Sequence, residues 1–197
     1  MSHATRLARG TGAVELASLT AASFHWWSPA DTRRLLELDA NVRWLDPERT
    51  WLTVPSPRSR PANAIRKMLA VAHRLPLASL DDGLRRSWRP VRLPRSILRA
   101  YCASLPWLVV DAETDAVSPV LPLSPERELT PLELGLLELI RSNGPLLRHT
   151  DAVRLAEPAG LNPTSTGIYL GKLPMIETVA PDVYAVRGSV LARATAK

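Results

Sequence analysis

One cysteine, one phenylalanine and nine glycines in 197 residues leave several protein classes without their raw material. Cys102 is the lone thiol, which excludes an internal disulfide and a zinc cluster built on cysteines. No apolar run approaches the roughly 18 residues that a helix needs to cross a bilayer. Nor does a basic-then-apolar leader open the chain, so a cytoplasmic location and no membrane partner are expected. A glycine-rich phosphate loop, a paired-histidine metal motif and a calcium loop are all missing. His3, His25, His73 and His149 share no spacing, and no pair of carboxylates stands out for acid–base work. Cys102 falls on the apolar face of a helix, where it reads as core rather than as a nucleophile. The expectation is therefore a protein with no enzymatic activity, no catalytic residue, no metal and no cofactor.

What the chain does have is 18 prolines, 46% hydrophobic residues and 22% charged ones, the make-up of a globular protein with short, stiff connections. One pattern recurs in three places: a short helix, a turn, an x-Pro helix start, a second helix and an apolar β-hairpin. It is first Leu16-Ala17-Ser18-Leu19, Ser28-Pro29, Val42-Arg43-Trp44-Leu45 and Trp51-Leu52-Thr53-Val54. Next it is Leu77-Ala78-Ser79-Leu80, Leu93-Pro94 and Trp107-Leu108-Val109-Val110. Finally it is Pro145-Leu146-Leu147, Asn162-Pro163, Met175-Ile176 and Val183-Tyr184-Ala185-Val186. Self-similarity of this kind means repeated supersecondary units. The unit resembles a winged helix-turn-helix. The expected fold class is mainly α with small β-hairpin wings (α+β), a tandem array of three such repeats over residues 1–56, 57–120 and 121–197. The first repeat is expected to be incomplete. Only Thr5-Arg6-Leu7-Ala8-Arg9 precedes Gly10-Thr11-Gly12, so its first helix is short or missing, or the chain is the C-terminal piece of a longer array.

Local signals place the elements. Ser28 and Pro29 open a helix through Leu38 that turns Leu35, Leu36 and Leu38 inward. Ile65, Met68, Leu69 and Ala72 form the apolar stripe of a helix at 62–73. Thr130, Pro131 and Glu133 spell a capping box. Asn162-Pro163 starts a last helix that buries Ile168, Leu170 and Leu173 and is weakened by Gly167.

The charge is unevenly distributed. Residues 1–57 hold six arginines and six acids, and 121–197 hold eight bases and eight acids. The stretch 58–120 holds eleven bases against five acids, so the whole excess of +6 sits in the middle repeat. Confinement of that kind suits a surface facing a polyanion. Arg95, Ser96 and Arg99 occupy the outer face of the middle repeat's third helix. Arg85, Arg86, Arg89 and Arg92 crowd the turn before it, and Arg58, Arg60, Arg66 and Lys67 extend the basic surface onto the linker. Arginine supplies both phosphate clamps and bidentate guanine contacts. In the last repeat, Thr164, Ser165 and Lys172 are contact candidates on a helix start short enough to approach bases. There two readings stand side by side, capping alone and capping with DNA contact. Arg33 and Arg34 are balanced by neighbouring acids. Trp44, Trp51 and Trp107 read as packing from hairpin to core, and Trp26-Trp27 as either core or a protein-binding patch.

The run from Arg60 to Ala72 resembles a segment of bacterial sigma-factor-like helix-turn-helix proteins, most common in high-GC actinobacteria. So do Asn162-Pro163-Thr164-Ser165-Thr166, Pro174-Met175-Ile176-Glu177 and Val183-Tyr184-Ala185-Val186-Arg187-Gly188. That resemblance implies DNA binding in transcription regulation and carries no catalytic residues with it. Duplex DNA is the expected partner. The alternative is a protein-interaction scaffold within a larger complex, using the Trp26/Trp27 surface.

Overall fold

The computed structural model describes residues 2–23, 28–54, 56 and 59–189. It is α+β, and one order of elements (helix, strand, helix, helix, strand, strand) occurs three times. The first set is α1 (Ser2–Thr11), β1 (Val14–Glu15), α2 (Leu16–Ser23), α3 (Pro29–Glu37), β2 (Arg43–Trp44) and β3 (Trp51–Thr53). The second is α4 (Arg60–Ala72), β4 (Leu75–Pro76), α5 (Leu77–Arg86), α6 (Arg95–Ser104), β5 (Leu108–Asp111) and β6 (Ala116–Pro119). A short helix α7 (Pro125–Glu128) leads to the third: α8 (Pro131–Ser142), β7 (Leu147–Arg148), α9 (His149–Ala156), α10 (Pro163–Leu170), β8 (Ile176–Ala180) and β9 (Val183–Val186). No helix among the described residues is long and apolar enough to cross a membrane.

Each set closes a three-stranded antiparallel sheet with its last strand in the middle: β1-β3-β2, β4-β6-β5 and β7-β9-β8. The registers correspond. Leu52 lies between Val14 and Trp44, Val117 between Leu75 and Val110, and Tyr184 between Leu147 and Thr178. In every sheet the first strand runs straight into a helix whose first amide donates to a carbonyl in the hairpin turn. These bonds are Leu16 N to Thr50 O at 2.7 Å, Leu77 N to Asp115 O at 2.8 Å and His149 N to Asp182 O at 2.8 Å. Each satisfies one of the amides that a helix start leaves open. To reach that geometry each hairpin bends through one non-glycine residue of positive φ: Arg49 (55°), Asp115 (50°) and Asp182 (57°).

Two sequence expectations need correction, and one open alternative is decided. The first helix is present but short: α1 has ten residues against thirteen in α4, and it continues through Gly10, a residue that costs helix stability without forbidding it. In α3 only Thr32 and Leu36 are buried, four residues apart on one stripe. Leu35 lies off that stripe and Leu38 stands 85% exposed beyond the helix end. Ile168 is likewise half exposed, whereas Leu170 and Leu173 are buried as expected.

The hydrophobic core does not follow the threefold pattern. Ala8, Val14, Leu16, Leu19, Leu36, Leu52 and Val54 form a small cluster inside the first set. A second, continuous cluster runs from Ile65 through Val117 to Leu136, Met175 and Val186, so the second and third sets share one core. Arg187 fastens them. It is 2% exposed, and its guanidinium donates to Pro174 O (2.7 Å), Ser79 O (3.0 Å) and Asp82 Oδ2 (2.7 Å). A buried cation is tolerated when its donors are met in this way. Gly83 makes the approach possible: a Cβ there would sit 2.3 Å from Met68 Sδ and 2.9 Å from the Pro174 carbonyl. The first set reaches the same core through Ala13, with Leu45 and Trp51 packed against it. Gly12, at φ +80°, leaves no space for a Cβ beside Tyr101, and Arg43 donates to Ser104 O at 2.9 Å. Ser59 and Tyr101 share a hydroxyl hydrogen bond of 2.8 Å.

Candidate nucleic-acid interface

α6 is amphipathic by construction. Ile97, Leu98, Tyr101 and Cys102 are buried on one side, while Arg95 and Ser96 are exposed and Arg99 half exposed on the other. Burial pushes the Cys102 thiol up to about 12, which leaves it protonated and unreactive in the folded protein. The outward arginines have a partner that the sequence did not suggest. Asp115, in the hairpin turn, accepts from Arg95 at 2.5 and 3.0 Å and lies 3.7 Å from Arg99. Next to it Asp111 pairs with Arg74 at 2.6 Å. Hydrogen bonds from the Thr114 hydroxyl and the amides of Thr114 and Glu113 hold the Asp111 carboxyl at about 2. The hairpin thus returns negative charge to the base of the helix whose positive charge stands out in the composition.

Several other basic candidates are committed inside the protein. Arg66 lies 4.4 Å over the Trp107 ring and 3.4 Å from Glu128, so it ties α4 to α7. Lys67 donates to both oxygens of Glu133, at 2.6 and 2.7 Å. Arg86 turns inward, donating to Leu170 O at 2.8 Å and to the Thr178 hydroxyl, with its guanidinium 5.6 Å from the Tyr184 ring. Burial and then the charge of Arg187 lower the pKa of Arg86. These three side chains join the second set to α7 and to the third set. Arg85 makes a pair with Asp81 four residues earlier, at 2.9 Å. Arg60, Arg89, Arg92 and Lys172 are exposed and form no ion pair among the described residues. Arg58, Trp26 and Trp27 lie outside the described residues.

In α10 the cap is as expected: Asn162 Oδ1 accepts the Ser165 amide at 2.9 Å. Thr164 is exposed and Ser165 partly so, which leaves the first turn accessible. Gly167 has a packing role there. A Cβ would come 3.1 Å from His149 Nε2 and 3.3 Å from Val153, so the glycine lets α9 lie close against α10. The most consequential residue without a signal in the sequence is Arg187. It follows an apolar strand directly, and nothing local distinguishes it from a surface arginine.

No family model, curated protein or solved structure matches the chain.

Proposed function

We propose that the three sets of elements are winged helix-turn-helix repeats, over 1–56, 57–120 and 121–197, and that the chain binds duplex DNA without catalysis, in transcription regulation. The shared sheet order, the matching registers and the three equivalent helix starts support the repeat assignment. The observation that carries the DNA reading is the outer face of α6, where Arg95, Ser96 and Arg99 lie at helical spacing and the bulky apolar side chains of the helix are all buried on the other side, with the exposed Arg92 three residues before the helix start. A face of this kind suits the major groove, with arginine on phosphates and guanine edges. Thr164 and Ser165 at the start of α10 offer short hydroxyls to a second contact. The resemblance to sigma-factor-like proteins points the same way.

Fluorescence anisotropy with a labelled duplex tests it. Affinity should fall steeply as salt rises, because each neutralised phosphate releases counterion. In the variant with both Arg95→Ala and Arg99→Ala, the slope of log affinity against log salt should shrink by about two units. No binding at low salt would sink the proposal. A second reading, a protein-interaction scaffold, draws support from the inward commitment of Arg66, Lys67 and Arg86 and from the exposure of Leu35 and Leu38. Capture of a stoichiometric partner that survives nuclease treatment would favour it.

A further inference from the structure

A groove of about 610 Å³ runs between the second and third sets, bounded by the start of α4, the segment after α5 and the end of α10. Its floor is apolar, built on Leu84, Val91, Leu132 and Leu173. Three cations line it with no ion pair among the described residues: Arg60, Arg89 and Lys172. A fourth, Lys67, is neutralised by Glu133, the one carboxylate among the described residues of the lining. The groove is therefore electropositive.

Trp88 also lines it, 56% exposed. Its indole stands against Tyr169 with ring centroids 5.6 Å apart and planes at 70°. In an edge-to-face pair each ring keeps at least one face that its partner does not cover, so a flat ring can stack there. Leaving a tryptophan this exposed forgoes the burial of a large apolar ring. A plain anion would use the three cations and leave the ring bare. An uncharged apolar ligand would use floor and ring and leave the cations unpaired. A nucleoside phosphate answers both, with the base on the aromatic pair and the phosphate on the cations.

We propose that this groove is a binding site for single-stranded nucleic acid, holding a base at Trp88 and Tyr169 and the backbone at Arg60, Arg89 and Lys172. The groove lies beyond the α6 face and does not depend on the duplex reading. Aromatic–base stacking is tolerant of sequence, so little base preference is expected.

The test is anisotropy of a labelled deoxythymidine oligomer with the full chain. Trp88→Ala should weaken binding at least about fivefold, and Trp88→Phe should recover most of the loss because any aromatic face stacks. The double variant Arg60→Ala with Arg89→Ala should lower the salt slope by roughly 1.4, two phosphate contacts on a single strand. Circular dichroism checks that these exposed positions leave the fold intact. Thymidine monophosphate as competitor separates the two sources of the chemistry: weak competition supports a strand, whereas binding equal to the oligomer's assigns the groove to a free nucleotide and overturns the strand assignment. Indifference of oligomer binding to Trp88→Ala overturns the site altogether, as does equal displacement by polyglutamate with no dependence on Trp88. Oligomer binding that survives while duplex binding is absent refutes the duplex reading and leaves this one standing.

Discussion

Asp115 sits where three constraints meet. Its backbone carbonyl caps α5, its φ of 50° bends the hairpin, and its carboxylate holds Arg95 and Arg99. For a polyanion to take those arginines, the carboxylate must first give them up. Exposed pairs of this kind are worth about 0.2–1 kcal/mol each. Asp115→Asn should therefore raise duplex affinity about two- to fivefold, with a steeper salt dependence, read by anisotropy. Unchanged affinity would mean that α6 does not meet the phosphates. The neighbouring Asp111 gives a pH dependence. Its folded pKa, about 2, lies below the ordinary aspartate value, so its contribution to stability is complete above about 3.8 and fades as pH falls toward 2. Asp111→Asn should flatten that part of an acid-unfolding curve. In the sequence both carboxylates read only as charge in a turn. Their direction is not written there, because a hairpin returns its turn to the helix only once the registers are known.

Among the elements, α8 connects local and long-range order most directly. Thr130 accepts the Glu133 amide while the Glu133 carboxylate accepts the Thr130 amide at 2.8 Å, the capping box that the sequence spells. The same carboxylate receives Lys67 from α4, 66 residues earlier. Thr130→Ala should cost about 1 kcal/mol, the usual value of a cap. Glu133→Ala should cost more, roughly 2–3 kcal/mol, since it also strands a half-buried ammonium. Chemical denaturation measures both, and equal losses would show that the Lys67 contact contributes nothing. Caps, x-Pro starts and the helical stripe of α4 are legible because each is written within a few residues. Lys67, Arg66 and Arg86 are legible as cations but not as ties between elements, since the surfaces they join lie far apart in sequence. At the end of α3 the three leucines Leu35, Leu36 and Leu38 suggest more inward side chains than one helical stripe can hold.

At the scale of the molecule, three repeated sets of elements do not make three independent cores. The large cluster extends over the second and third sets, and Cys102 lies within it, fully buried. Cutting after residue 120 would bare apolar side chains on both pieces, so a fragment of 59–120 should stay largely unfolded while 59–189 folds cooperatively. Thermal melts followed by circular dichroism would check this, and a cooperative transition in 59–120 would refute it. In the intact protein a disulfide reagent should reach Cys102 only through opening of this core, so its rate should rise together with the unfolded fraction in denaturant. The repeat count is readable from turn chemistry and strand patterning. The sharing of a core is not, because an apolar stripe does not say whose stripe it meets. Arg187, reaching from beyond β9 to Asp82 in α5, joins the set that carries α10 to the set that carries α6, and Leu98 and Leu170 of those two helices share one core. That makes the pair a ruler. A partner engaging both helices must present its two contacts at the single spacing the protein dictates, and on a duplex half a helical turn of extra sequence between them would put the second contact on the wrong side.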